Sequence, residues 1–152
     1  MKIYLATDHA GFELKEKIKS YLSKKGYEIE DCGALSFDQS DDYPDFISKA
    51  AEAVSKDPEN SKAIILGASG QGEAIVANKF KNVRAIVFYG GLNKLISLSR
   101  QHNNANVLSL GARFLTDQEA LDAVQLWLDT PFENEERHVR RIEKIKELES
   151  SH

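Results

Sequence analysis

The chain has a single cysteine, Cys32, among its 152 residues. No internal disulfide can form, and no cysteine-based metal site is available. That usage suits a reducing compartment. Charge of either sign is nearly balanced: 20 Lys and Arg against 24 Asp and Glu give a net charge of −4. A mildly acidic chain argues against broad nucleic-acid binding and leaves room only for a local basic patch. No apolar run is long enough to span a bilayer, and the opening MKIYLATDHAG has too short an apolar stretch for a signal peptide. The expectation is a soluble, cytoplasmic protein with no membrane partner. Repeats, low-complexity tracts and linkers are also missing. What is present is the composition of a globular protein, 41% hydrophobic and 29% charged, enough to bury one core in a single domain spanning 1–152.

Short apolar runs alternate with amphipathic stretches. KIYLAT (2–7), YEIED (27–31), KAIILG (62–67), VRAIVF (83–88) and NVLSLG (106–111) read as strands. Helices are predicted over 11–24, 44–56, 72–80, 92–102, 116–129 and 133–149, the last two broken at Pro131. Phe12, Leu14, Ile18, Tyr21 and Leu22 share one face of the first, and Gly26 stops it. Pro44 opens the second, where its missing N–H costs nothing. Residues 33–42 are polar and turn-rich, a loop. This alternation implies an α/β fold with a five-stranded parallel sheet and helices on both faces. Ligands of such folds gather beyond the carboxyl ends of the strands. The segments of interest are Asp8–Gly11, the loop 32–43, the glycine loop 67–73, Tyr89–Gly91 and Gly111–Arg113.

The glycine loop, GASGQGEAI, resembles a phosphate cradle but fails both nucleotide motifs. Gly67 and Gly72 have P-loop spacing, yet Glu73 and Ala74 stand where the lysine and the magnesium-binding hydroxyl belong. A dinucleotide fingerprint begun at Gly70 ends on Ile75, and on a later strand than the first. A nucleotide-binding module is therefore rejected. What remains is a row of backbone amides at a helix N-terminus with Ser69 and Glu73 projecting from it. Such amides suit a developing enolate oxygen. The same dipole favours ionised Glu73, which fits a base. The plainer alternative is a first-turn glutamate that only stabilises its helix.

Other polar residues stand at element ends. Asp8 suits a helix cap, a role that leaves His9 unexplained. His102 and Asn103 end a helix, where a histidine complements the dipole and asparagine tolerates a left-handed cap. Tyr43, before Pro44, has simple packing as its alternative. In the last helix Arg137 and Arg141 fall four apart on one face, with His138 and Lys144 flanking the ridge. Arg140 has Glu136 and Glu143 nearby and looks neutralised. An uncompensated arginine pair is a phosphate clamp or a solvated face, and Arg113 is placed to join it. A carboxylate base, an amide-lined oxyanion site, a histidine and a phosphate clamp together suit proton transfer beside a carbonyl in a small phosphorylated sugar. No metal cluster is evident, and no redox-cofactor motif survives.

TDHAG (7–11), DYP (42–44), GASGQGEAIVANK (67–79), SRQHNNANVLSLGAR (99–113) and RHVRRI (137–142) together resemble the type B ribose-5-phosphate isomerase family, which includes galactose-6-phosphate isomerase subunits. The resemblance covers essentially the whole chain. It implies a doubly wound, Rossmann-like fold, a homodimer with active sites at the subunit interface, and no cofactor. It leaves open whether dimers pair into tetramers. It implies that Asp8 and His9 lie in the sugar-phosphate site, lined by Tyr43, and that Ser69 meets the substrate near the reacting carbons. The backbone of Gly67, Ala68, Gly70, Gln71 and Gly72 would surround the oxyanion. His102 would open the furanose ring, with Asn103 beside it. Arg113, Arg137 and Arg141 would bind substrate, chiefly its phosphate.

One position departs from many members, which carry a cysteine base where this chain has Gly67. Cys32 follows a different strand and does not match. A second branch is similar in lacking that cysteine and using a glutamate at the position of Glu73. Two rivals remain. One is an isomerase of another sugar phosphate, such as allose 6-phosphate, galactose 6-phosphate or a tetrose phosphate. The other is a non-catalytic sugar-phosphate sensor, which would need the arginines but neither Glu73 nor His102.

Overall fold

The computed structural model describes all residues, 1–152. The chain runs β1 (Lys2–Thr7), a 3-10 turn (His9–Gly11), α1 (Phe12–Lys24), β2 (Glu28–Asp31), α2 (Tyr43–Lys56), β3 (Ser61–Gly67), α3 (Gln71–Ala77), β4 (Ala85–Phe88), α4 (Lys94–Gln101), β5 (Val107–Gly111), α5 (Asp117–Asp129) and α6 (Glu136–Ser150). All five strands are parallel, in the order β2-β1-β3-β5-β4. The expected α/β, doubly wound, Rossmann-like architecture is the one observed.

The strand period of two divides the apolar residues between two layers. Ile3, Leu5, Ile64, Leu66, Leu108 and Leu110 point to one face and pack with α1, α4 and α5 through Ile18, Leu22, Ile96, Val124 and Trp127. Ala6, Ala63, Ile65 and Val107 point to the other and pack with α2 and α3 through Ile47, Ala50, Val54 and Ala77. Each fully buried Leu, Ile or Val contributes about 1.5–3 kcal/mol, so these layers dominate stability.

Local rules explain the element ends. Thr116 and Glu119 form a reciprocal capping box at α5. Gly26 takes φ +87° just beyond α1, a conformation that suits glycine. Helix α3 ends at Ala77 rather than at residue 80, because the Asn78 side chain bonds both the N–H and the C=O of Ala85 (2.8 and 3.0 Å). The start of β4 at Ala85 rather than Val83 has the same cause.

Two edges of the sheet matter for function. The chain moves outward from β1 to β2, then returns to place β3 on the other side of β1, so a switch point lies between β1 and β3. The carboxyl ends of β1, β3 and β5 lie side by side, with Thr7 opposite Leu66 and Gly67 opposite Gly111. Helix α4 runs back from the carboxyl end of β4, so its last residues lie at the amino edge, before β5 begins. Helix α6 crosses that amino edge: Glu149 accepts from the Asn82 amide, and Val139 and Ile142 line a cavity with Pro58, Arg84 and Asn104.

Candidate active site

At the carboxyl edge, β1 delivers Asp8 and His9. Asp8 caps the 3-10 turn by accepting from the Ala10 amide at 3.0 Å. The His9 ring bonds through Nδ1 to Asp41 Oδ1 at 2.7 Å, and its amide reaches the same oxygen at 3.1 Å. The hydrogen bond to Asp41 raises the His9 pKa, with the Asp8 charge adding to it. The imidazole is thereby biased toward its cation. His9, Ala10, Glu13, Phe37, Gln39 and Arg113 line a cavity of about 380 Å³. Two cationic groups beside one small cavity fit a phosphate. Asp41 was missed by sequence reading; it lies 32 residues from His9, inside a turn-rich loop, with no periodicity to link them.

The glycine loop leaves β3 and is fastened to β5. Arg113 N–H donates to Ala68 O (3.1 Å), Ala112 N–H to Gly67 O (2.8 Å) and Ser109 Oγ to Gly70 O (2.6 Å). Gly70 takes φ +82°, which turns the chain into α3. The amides of Ala68, Ser69, Gly70 and Gly72 donate no hydrogen bond within the chain, whereas that of Gln71 reaches Ser69 Oγ at 3.3 Å. Tyr43 lies against this loop: a side chain at Gly72 would meet its hydroxyl at 2.6 Å.

Glu73 is buried, only 4% exposed. Its carboxyl group occupies the space that a Cβ at Gly67 would fill. A side chain at 67 would therefore force the Glu73 carboxyl to move from this position. Burial pushes the Glu73 pKa up; its own backbone amide pulls it down, and Asp8 pushes it up further. The expectation that the helix dipole would favour the ionised form is corrected here, because desolvation outweighs the dipole. A raised pKa moves the carboxylate toward the range of an effective base. Cys32 is no competing nucleophile, since burial pushes its thiol up to about 11.

The remaining sequence-predicted residues lie at the amino edge. His102 is the C-cap of α4, followed by exposed Asn103. His138 is not on an exposed ridge as expected but buried, its ring stacked on His102 with centroids 4.4 Å apart. Arg137 and Arg141 are exposed, but Arg137 is not uncompensated: its Nε donates to Glu135 at 3.0 Å. Arg140 forms no ion pair with Glu136 or Glu143; Lys146 takes Glu143 instead. Within one chain Arg113 faces His9, apart from the arginines of α6.

Two groups bring metal-ligand atoms within 4.8 Å of one another, Asp8–His9–Asp41 and His102–Glu133–His138. In the first, Asp41 Oδ1 is already engaged by both the ring and the amide of His9 (2.7 and 3.1 Å). In the second, ring planes only 17° apart do not converge on one point.

A family model described as Ribose/Galactose Isomerase matches residues 3–145. The chain belongs to this family. Among ribose/galactose isomerase relatives, the ribose-5-phosphate isomerase B of Mycolicibacterium paratuberculosis is 43% identical over 152 residues, covering 100% of this chain and 94% of the relative. That of Escherichia coli is 38% identical over 148 residues, covering 97% and 96%. The crystal structure of ribose-5-phosphate isomerase B from Mycoplasma genitalium with bound ribulose-5-phosphate matches with a TM-score of 0.95 and 40% identity, over 99% of this chain and 97% of that one. The type B enzyme from Trypanosoma cruzi matches with a TM-score of 0.91 and 35% identity over the whole of both chains. No helix is long and apolar enough to cross a membrane.

Proposed function

We propose that the chain is an aldose–ketose isomerase that interconverts ribose 5-phosphate and ribulose 5-phosphate. The observation that carries this reading is the Glu73 carboxylate, buried in the notch left by Gly67 and beside a loop with four unpaired amides. Ionised Glu73 takes the C2 proton of the open-chain aldose and returns it at C1. The free amides of Ala68, Ser69, Gly70 and Gly72 hold the oxygen of the enediolate, and Ser69 meets the substrate near the reacting carbons. His9 and Arg113 bind the phosphate, with Asp8 and Tyr43 closing the sugar site. The proton is moved within the substrate, so the reaction is balanced without a cofactor.

His102 opens the furanose ring and Asn103 sits beside it, yet both lie at the sheet edge opposite Glu73. We assign them, with Arg137 and Arg141, to the active site of a second copy in a homodimer. Exposed apolar side chains support this: Ile75 on α3, Tyr89 and Leu92 beyond β4, and Leu95 on α4 flank a β4 edge that no strand covers. The test of function is a rate assay on the purified chain with chelator present. Ribose 5-phosphate, allose 6-phosphate and galactose 6-phosphate are offered separately. Fastest turnover of ribose 5-phosphate is expected; preference for a hexose phosphate would overturn the substrate and leave the catalytic roles standing.

A further inference from the structure

His102 has a well-held backbone and a ring that nothing on its own helix orients. Its amide donates to Leu98 O at 2.9 Å. Arg100, two residues earlier, ties Thr130 O (3.1 Å), Asn104 Oδ1 (2.9 Å) and Ala105 O (2.7 Å) together. The Glu133 amide donates to Gln101 O at 3.0 Å, so the segment before α6 is fastened to the end of α4. The His102 ring itself makes no hydrogen bond within the chain. Its neighbour is the His138 ring from α6, stacked on it at 4.4 Å with the planes 17° apart.

His138 is 2% exposed, and its Nε2 is buried without a hydrogen-bond partner. Glu135 stands 3.8 Å away, beyond hydrogen-bond reach. Desolvation, Arg137 and then His102 lower the His138 pKa, against the opposing pull of Glu135 and Glu133. Its contact with His102 is made by the plane of the ring.

We propose that His138 is a positioning residue for ring opening: its plane fixes the orientation of the His102 imidazole toward the furanose oxygen. This rests on the isomerase reading above. Ring opening demands a donor within hydrogen-bond reach, and a misplacement of about 1 Å costs about a hundredfold in rate.

Two assays separate this step from the proton transfer at Glu73. Ribose 5-phosphate is mostly cyclic and needs ring opening. Ribulose 5-phosphate cannot close a five-membered ring, because its O5 carries the phosphate, so deuterium exchange at its C1 in D2O needs only the base. His138→Leu removes the flat surface; His138→Phe keeps it and removes the nitrogens. The expected result for Leu is a fall of about tenfold or more in ribose 5-phosphate kcat/KM, with C1 exchange within about twofold of wild type. Phe is expected to stay within about threefold on both assays. Wild-type turnover in the Leu variant overturns the proposal, as does an equal fall in both assays, which marks a general structural loss. A Phe variant as impaired as Leu in ring opening also overturns it, since the plane is then not what His138 supplies. A wild-type chain inert in both assays overturns the isomerase reading itself, and this inference with it. Normal C1 exchange in every variant confines any failure to His138.

Discussion

At the carboxyl edge of the sheet the functional side chains are locked against one another, while at the amino edge they stand on helix ends. Glu73 fills the notch at Gly67, His9 is bonded to Asp41, and Asp8 caps a turn. Parallel strands in register set these three positions. Across the sheet, Arg137 keeps 54% of its side chain exposed, and α6 buries only His138 and Ile142. A rigid half-site can tune chemistry, because burial raises the Glu73 pKa. An exposed half-site can reach a neighbour. On the reading proposed above, the carboxyl edge does the proton transfer and the amino edge is lent to a second copy.

The largest effect is expected from Glu73→Gln, which keeps the shape of the notch and removes the base. Its kcat should fall by about a thousandfold with the melting temperature little changed. Turnover within about tenfold of wild type would remove Glu73 as the base. In the wild type, kcat/KM should rise with pH through the raised pKa of Glu73, because only the ionised form accepts a proton. A profile flat over pH 4–8 would contradict that.

Next in size is Gly67→Ala, which sets a methyl group where the Glu73 carboxyl lies. Overpacking of this kind costs about 1–3 kcal/mol, read as a lower melting temperature, and the displaced carboxylate should lose about a hundredfold in kcat. Adding Glu73→Ala should restore the melting temperature and not the activity. Failure of that rescue would show that residues 67 and 73 do not compete for one space.

Arg113→Ala should act on binding. Loss of a charged hydrogen bond to phosphate removes about 1.5–3 kcal/mol, seen as KM raised by about tenfold to a hundredfold with kcat largely kept. An unchanged KM would take the phosphate out of the His9–Arg113 cavity.

The smallest effect is expected from Asp41→Asn. Asp41 raises the His9 pKa, so the imidazolium is present at low pH and lost as pH rises through that raised value. Without the carboxylate the loss should begin at lower pH, and KM near neutrality should rise by a few-fold, about twofold to fivefold. Coincident KM–pH curves for variant and wild type would sever His9 from phosphate binding.

Much of the fold was legible because apolar runs of strand length alternate with amphipathic helices, and because Pro44 and Gly26 mark helix ends. The ends of α3 and β4 were not, since one long-range pair of bonds from Asn78 to Ala85 decides them. The positions of candidate residues that directly follow strands were legible from strand order alone. Asp41 was not, because its partner lies across the fold. Helical spacing set His138 on the arginine ridge, but only the packing of α6 on the end of α4 reveals that it is buried. Glu73 was recognisable by its place in the loop; the sign of its pKa shift was not, because burial is a tertiary property.

The central claim is that each active site draws on both sheet edges, from two copies of the chain. It is tested by mixing Glu73→Gln chains with His102→Ala chains after reversible dissociation and measuring ribose 5-phosphate turnover. Each variant alone should be nearly inactive. Random pairing makes half the dimers mixed, and each mixed dimer holds one intact site, so the mixture should recover about a quarter of wild-type activity. Mixed dimers that form without regaining activity would contradict the account, placing Glu73 and His102 in the service of the same chain.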